Sequence, residues 1–336
     1  MTVKRSRALL KSNSFDWLVS KPHIFLLSLF LKGRSIYTIT RGGWNEIWEQ
    51  QLGEKPEIAL NRFVVQNKLI PAGLGEVLWV KFTVPELQKI CDEYGLPVSG
   101  RKLEIINRII CNVPKSIIRK LTQNDDIFIC SESGKPIAEE YIEAEKERKS
   151  EAISATWEQI IRNCLTEAVH KRTEFETQNV DLSSVHYKWH PDRFDNNLFV
   201  LKLIFTAKPK LLKNLSTEQF TAIQKIAALS YLWGEREAKK WLPAGFESYS
   251  SYPDKMVPPR MVMFCGHNQA NLEEYKENPA VIRAVAIISA NDSCENCKKF
   301  VGKVFSLSDV PELPNENCTS PKGCRCSYIP ITDLFS

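Results

Sequence analysis

Residues 83–111 constrain the fold of this 336-residue chain more than any other segment, because they carry the start and stop signals of two short helices. Thr83 is a good helix N-cap residue, and Glu86 three positions later completes a capping box. Gly95 is typical of a helix C-terminus that ends in the left-handed conformation. The second helix is predicted to begin near Ser99. The apolar positions predicted to face inward are Val84, Leu87, Cys91, Tyr94, Leu103, Ile106 and Ile110.

Two cations mark the start of the second helix. Arg101 and Lys102 fall in its predicted first turn, where they oppose the helix dipole at a cost of up to about 1 kcal/mol each. A bound phosphate would reverse this effect, because the N–H groups of residues 100–102 and both cationic side chains would face it. The acids and bases of the segment nearly balance, so it would bind weakly alone. Further phosphate contacts are expected from the N-terminal residues and from Lys115, Arg119 and Lys120.

The segment TVPELQKICDEYGLPVSGRKLEIINRII resembles the SAP motif, a two-helix DNA-binding module. The similar positions are Leu87, Gly95, Leu96, Ser99, Gly100, Lys102, Arg108 and Ile109. The resemblance implies binding to duplex DNA, often AT-rich, through the start of the second helix. Such modules usually recruit a protein to DNA and do no chemistry themselves. The predicted DNA-binding residues are Lys89, Ser99, Gly100, Arg101, Lys102 and Arg108.

Positive charge is concentrated at the N-terminus. Residues 1–41 carry eight cations and one acid, a net charge of +7, so the rest of the chain sums to −2 against the overall +5. This asymmetry predicts a basic arm for DNA or RNA, with a merely solvated terminus as the alternative. The longest apolar run, residues 24–31, is too short to span a bilayer. We therefore expect no membrane contact and a cytoplasmic protein, which would be nucleoid-associated if it is bacterial. The expected partner is duplex DNA, and protein partners are possible in addition.

The pattern along the chain predicts an α+β fold that is mainly α. The segments expected are a basic N-terminal region (1–80), the SAP-like module (81–120), a charged helical linker (136–152), a helical middle domain (153–245) and a C-terminal cysteine-cluster domain (246–336). An apolar face with helical spacing from Ile153 to Ala168 predicts one continuous middle-domain helix. Ser216 and Gln219 predict the capped start of another. Residues 246–260, rich in Ser, Tyr and Pro, are predicted to be a linker.

Five cysteines cluster near the C-terminus, in a pattern that favours metal over a disulfide framework. Cys294 and Cys297 form a C-x2-C knuckle, and a second group one hairpin later could complete a tetrahedral zinc site in a small zinc-ribbon-like β element. The preferred ligands are Cys294, Cys297, Cys318 and Cys326, with Cys324 as the alternative fourth. A closed Zn²⁺ site of four thiolates would be structural. Disulfides or free thiols are the competing interpretation.

The C-terminal stretch also resembles the end of phage head-morphogenesis (Mu F-like) proteins. The similar features are the C-x2-C pair, Gly302 to Phe305 and the closing Cys324-Arg325-Cys326. This resemblance implies a bacterial or phage origin and carries no defined activity.

Catalytic motifs give little support for an enzyme. The sequence has neither a phosphate loop nor a dinucleotide fingerprint nor a nucleophile elbow, and His267 is the only histidine near the cysteines that could serve a catalytic role. The leading hypothesis is a non-enzymatic DNA-binding accessory or regulatory protein with a structural zinc site. The alternatives are a nucleic-acid-processing enzyme with its site within residues 157–267, and a phage or mobile-element assembly protein.

Overall fold

The computed structural model describes residues 16–41, 45–122, 126–179, 192–246 and 252–332. Lys4, Arg5, Arg7 and Lys11 of the predicted basic arm lie outside these residues. The described chain is mainly helical with two small antiparallel sheets, which confirms the predicted α+β class. It divides into two compact units, one ending at Arg148 and the other beginning at Lys149. The five segment boundaries drawn from the sequence stay predictions.

Eight α-helices lie wholly within the described residues of the first unit, together with a three-stranded sheet. The helices are α1 (Lys21–Ser28), α2 (Tyr37–Thr40), α3 (Asn45–Leu52), α4 (Pro56–Val65), α5 (Leu74–Lys81), α6 (Val84–Glu93), α7 (Lys102–Asn112) and α8 (Lys115–Leu121). The strands β1 (Arg34–Ser35), β2 (Leu69–Pro71) and β3 (Ile127–Cys130) pair antiparallel in the order β1-β3-β2. The apolar run at residues 24–31 lies largely in α1, where Leu26 and Leu27 are fully buried.

A separate small core forms where α5, α6 and α7 meet. Its fully buried side chains are Leu78, Leu87, Cys91, Ile105 and Ile109. These come from three short helices, none of which would be stable alone, so their packing holds the hairpin together. The predicted inward face of α7 is partly wrong, because Leu103 is 59% exposed while its neighbours at 105 and 109 are buried.

The boundary between the two units, at Arg148 and Lys149, lies within a long helix, α9 (Lys135–Ile161). The continuous helix predicted from residue 153 to residue 168 is interrupted, because α9 ends at Ile161 and α10 begins at Leu165. Asn163 makes the break with a positive φ of 59°, a conformation that asparagine tolerates better than most residues. The apolar periodicity continues across the break, which explains why the pattern indicated one helix.

After α9, the described helices of the second unit are α10 (Leu165–Thr177), α11 (Arg193–Thr206), α12 (Thr217–Trp233), α13 (Glu235–Ala238), α14 (Val257–Glu277) and α15 (Glu295–Lys298). Most helices of the second unit pack around one apolar core, whereas the short α15 lies in a second buried cluster with the cysteines. The predicted capping box at the start of α12 is present, with Gln219 N–H 3.2 Å from Ser216 Oγ and Ser216 N–H 3.0 Å from Gln219 Oε1. The predicted linker is helical from Val257 onward, because Pro258 and Pro259 fit in the first turn of α14, where no N–H donor is needed.

A second antiparallel sheet carries the cysteines at its turns. Strands β4 (Ile282–Ile288), β5 (Val304–Ser306) and β6 (Ser327–Thr332) pair in the order β5-β4-β6. Ala286 of β4 lies opposite Val304 on one side and Ile329 on the other. The C-x2-C pair follows β4, and the other three cysteines lie between β5 and β6, an arrangement compatible with a zinc-ribbon-like element. None of the described helices has both the length and the apolar character needed to cross a bilayer.

Candidate nucleic-acid interface and metal centre

The first helix of the 83–111 hairpin has well-satisfied ends. Glu86 Oε2 accepts the Thr83 N–H at 2.6 Å and the Thr83 hydroxyl at 2.7 Å, so the predicted capping pair is confirmed. At the other end Gly95 has a φ of +64°, and the Leu96 N–H donates to the Cys91 carbonyl at 2.8 Å. This bond pattern defines a Schellman motif. Both ends of α6 are therefore set by local sequence.

The second helix begins later than predicted, at Lys102 instead of near Ser99. Gly100 adopts a φ of +125°, and a Cβ there would lie 2.8 Å from Glu104 Oε2. The same carboxylate oxygen accepts the Arg101 N–H at 2.9 Å and so caps the helix. One of the three backbone donors expected to face a phosphate is therefore already paired.

Arg108 holds the connection between the two helices. Its Nη1 donates to the carbonyl oxygens of Pro97 and Ser99, the latter at 3.0 Å. Gln88 Nε2 donates to the Val98 carbonyl at 3.1 Å from the opposite helix. Of the predicted DNA-binding residues, Arg108 is thus placed to position the loop rather than to project its charge into solvent.

Lys102 is fixed by a residue that the sequence pattern did not single out. Its Nζ donates to the Trp79 carbonyl at 2.6 Å and lies 4.9 Å from the centroid of the Trp79 ring. A lysine over a tryptophan face gains a cation–π interaction. Trp79 is 37% exposed, so the pair lies at the surface at the start of α7. Because the two residues are 23 positions apart in the sequence, no local sequence pattern predicts this contact.

The remaining predicted DNA-binding residues are exposed. Arg101, Ser99 and Gly100 lie at the surface beside the start of α7, and Lys89 is exposed on α6. The exposed Leu103 follows directly after Lys102. The start of α7 therefore combines an exposed cationic side chain at 101, a cationic side chain held by Trp79 at 102 and an exposed apolar side chain at 103. Such a mixture suits phosphate and sugar contacts along a nucleic-acid backbone.

The five C-terminal cysteines form one cluster of sulfurs. Cys294, Cys297 and Cys318 make one group, Cys297, Cys324 and Cys326 a second, and within each group all sulfurs lie within 4.8 Å of one another. The Cys294 and Cys318 sulfurs are 3.8 Å apart, and those of Cys297 and Cys324 are 3.9 Å apart. Four thiolates bound to zinc at about 2.3 Å would lie about 3.8 Å apart in a tetrahedron. The sulfur spacing therefore fits a tetrahedral metal ion.

Backbone N–H groups point at several of these sulfurs. The Thr319 N–H donates to Cys294 Sγ at 3.4 Å, and the Asn315 N–H donates to Cys324 Sγ at 3.4 Å. Burial alone would raise the pKa of Cys294, but the N–H groups of Thr319 and Cys297 bring that pKa down to about 6. Burial and the neighbouring Cys324 instead raise the pKa of Cys297. Crowded thiols of this kind give up protons when a cation binds among them.

Asn315 and Asp292 connect the two parts of the cluster. Asn315 is 6% exposed, and its Nδ2 donates to the Asn296 carbonyl at 3.1 Å and faces Cys297 Sγ at 3.8 Å. Asp292 accepts from Lys322 at 2.6 Å and from Arg325, and these two cations lower its pKa to about 2. The spacing of the cysteines gave no signal for either Asp292 or Asn315.

The cluster is also attached to α14. Asn268, 1% exposed, donates from Nδ2 to the Cys326 carbonyl at 3.0 Å and accepts the Tyr328 N–H at 3.4 Å. Gly323, with a φ of +74°, approaches the start of α14 so closely that a Cβ would lie 2.7 Å from Val257 Cγ1. The last cysteines are therefore held against the helical core of the second unit.

The region considered for an enzyme active site holds an apolar cleft of about 490 Å³. It is lined by Trp157, Ile161, Thr217, Glu218, Thr221, Ala222, Lys225, Trp241 and Pro243. The ionisable groups in this lining are one glutamate and one lysine, without a histidine or a cysteine. His267 is exposed on α14, with Nδ1 3.3 Å from the Asn271 amide nitrogen.

The capped hairpin carries cations at the start of its second helix, an arrangement that can contact phosphates. Residues 79–113 match the family model of the SAP domain. The chain therefore contains a SAP domain, which points to nucleic-acid binding. The match extends from Trp79 to Val113, a buried core residue just after α7. No curated protein and no solved structure matches the chain. The resemblance of the C-terminal stretch to phage head-morphogenesis proteins stays a prediction.

Proposed function

We propose that the protein is a DNA-binding accessory or regulatory protein, anchored on duplex DNA by its SAP domain. The observation that carries the proposal is the pair of cations at the start of α7, inside the residues that match the SAP model. Arg101 is exposed, and the neighbouring Lys102 is held over the Trp79 ring. Cationic side chains at a helix start neutralise phosphates, and neutralised phosphates provide most of the affinity of such contacts.

The test is a fluorescence anisotropy titration of a labelled 20-base-pair duplex with the full chain and with the double variant Arg101→Glu with Lys102→Glu. We expect the wild type to bind and the double variant to lose at least about tenfold in affinity, since two phosphate contacts become repulsions. The matched control is Lys202→Glu with Lys276→Glu, which makes the same change in net charge at exposed positions of the second unit. Equal binding by wild type and the 101/102 variant would overturn the assignment.

The same preparations separate the accessory role from the two other classes considered. Duplex DNA incubated with the protein and Mg²⁺ should be recovered intact, and the protein without DNA should elute as a small species of constant size. Cleaved or modified DNA would contradict the accessory role in favour of a nucleic-acid-processing enzyme. Large stoichiometric assemblies without DNA would contradict it in favour of an assembly protein.

We further propose that the cysteine cluster binds one structural Zn²⁺. The support is the tetrahedral spacing of 3.8 and 3.9 Å between sulfurs and the burial of Cys297, Cys318 and Cys324. A zinc ion held by four thiolates keeps no open position for a substrate, so it would stabilise the fold instead of catalysing a reaction. Metal analysis of protein purified without chelator should give one zinc per chain. Protein that folds fully and contains no zinc would contradict this part of the proposal.

A further inference from the structure

Five sulfurs surround a centre that takes four ligands, so one cysteine must be excluded if the zinc proposed above binds. Cys294, Cys297 and Cys318 already form one close group. The choice lies between Cys324 and Cys326, two residues apart in the chain and both buried.

The sulfur contacts favour Cys324. Its sulfur lies 3.9 Å from that of Cys297, nearly as close as the 3.8 Å between the sulfurs of Cys294 and Cys318. The sulfur of Cys326 lies within 4.8 Å of those of Cys297 and Cys324. The two close pairs, Cys294 with Cys318 and Cys297 with Cys324, together supply the four sulfurs that a tetrahedral zinc ion needs.

The hydrogen-bond donors make the same distinction. Cys294 receives the N–H groups of Thr319 and Cys297, and Cys318 is within reach of the N–H of Ser320. Cys324 receives the N–H of Asn315 at 3.4 Å and is within reach of the N–H of Cys326. Donors arranged in this way stabilise metal-bound thiolates and fix their orientation. Among the described residues, the backbone N–H groups that donate to these sulfurs at 3.4 Å reach Cys324 and Cys294, and none reaches Cys326.

Cys326 serves the site through its backbone. Its N–H faces Cys324 Sγ, and its carbonyl accepts the Asn268 Nδ2 at 3.0 Å, which ties the end of the metal loop to α14. A change of side chain at 326 leaves both of these backbone contacts in place. We infer that the metal is bound by Cys294, Cys297, Cys318 and Cys324, and that Cys326 lies beside the coordination sphere as a supporting residue.

The test compares full-length wild type, Cys324→Ser and Cys326→Ser, each reconstituted with ZnCl₂ and titrated against a chromophoric zinc chelator. Cys326→Ser should keep one zinc per chain with an affinity within about tenfold of wild type, the lower end of supporting-residue effects. Cys324→Ser should lose more than about 100-fold, beyond the range of such effects. Retention by Cys324→Ser, or a loss in Cys326→Ser as large as in Cys324→Ser, would overturn the assignment.

A second measurement covers the case in which Cys324→Ser does not fold. X-ray absorption at the zinc edge should show four sulfur ligands in both wild type and Cys326→Ser, and three sulfurs in the latter would overturn the inference. Two zinc ions per wild-type chain would also overturn it, since Cys326 would then be needed as a ligand. If the wild type binds no zinc, the proposed zinc centre itself is refuted. If the wild type binds one zinc but the two variants do not behave as stated, only the ligand assignment is refuted.

Discussion

Arg101→Gln should reduce the salt dependence of DNA binding by one phosphate contact. The Arg101 side chain is exposed at the start of α7, whereas Lys102 donates to Trp79 and Arg108 to two loop carbonyls. Each neutralised phosphate contributes about −0.9 to the slope of log K against log salt concentration, so the variant's slope should be shallower by about 0.9. Between 50 and 200 mM salt, the ratio of wild-type to variant affinity should therefore fall by about 3.5-fold.

The assay is fluorescence anisotropy with a labelled duplex at several NaCl concentrations between those limits. Lys276→Gln, which removes one exposed charge from the last turn of α14, is the control and should leave the slope unchanged. A slope for Arg101→Gln that equals that of wild type would show that Arg101 does not contact a phosphate. The reasoning from its exposure at the helix start would then be refuted.

Three further perturbations test the hairpin and the metal loop. Ile105→Ala should destabilise α7 by about 2–5 kcal/mol, because Ile105 is fully buried; native-state hydrogen exchange of α7 amides measures this, and unchanged protection would contradict it. Arg108→Ala should speed hydrogen exchange of the Ser99 and Gly100 amides and weaken DNA binding. If the amides instead exchange as in wild type and only the slope of affinity against salt becomes shallower, Arg108 contacts a phosphate and does not position the loop. Removal of zinc with a chelator should lower the thermal midpoint of the second unit and speed exchange at Tyr328, whose N–H is bonded to Asn268; identical midpoints with and without chelator would refute a stabilising metal.

Local signals in the sequence predicted the first half of the hairpin well. The Thr83–Glu86 cap and the Gly95 terminus depend on residues three to five positions apart, and the structure confirms them. The start of α7 was misplaced because its N-cap residue is Arg101, which is not a typical cap, and because Glu104 supplies the capping carboxylate from within the helix. A Ser-Gly pair one step upstream offered a more usual start signal.

The contacts that the sequence could not predict join residues far apart in the chain. Trp79 holds Lys102 across 23 positions, and Asn268 holds Cys326 across 58. Periodicity and spacing describe neighbours along a helix or strand, so they contain no information on such pairs. The cysteine spacing predicted where in the chain the sulfurs cluster. The proposed choice between Cys324 and Cys326 depends instead on a contact that the spacing does not reveal, the Asn315 N–H beside Cys324.

The contact between Lys102 and Trp79 has a consequence for the entropy of DNA binding. A lysine side chain loses up to about 2 kcal/mol of rotamer entropy when it is fixed in one conformation. Since the tryptophan fixes Lys102 in the free protein, most of that loss belongs to folding of the SAP domain. Trp79→Ala would remove the ring but keep the carbonyl acceptor and the net charge of the interface, and it would move part of the loss to the binding step. The resulting decrease in affinity would appear calorimetrically as a less favourable entropy, because the DNA would then have to order part of the lysine side chain.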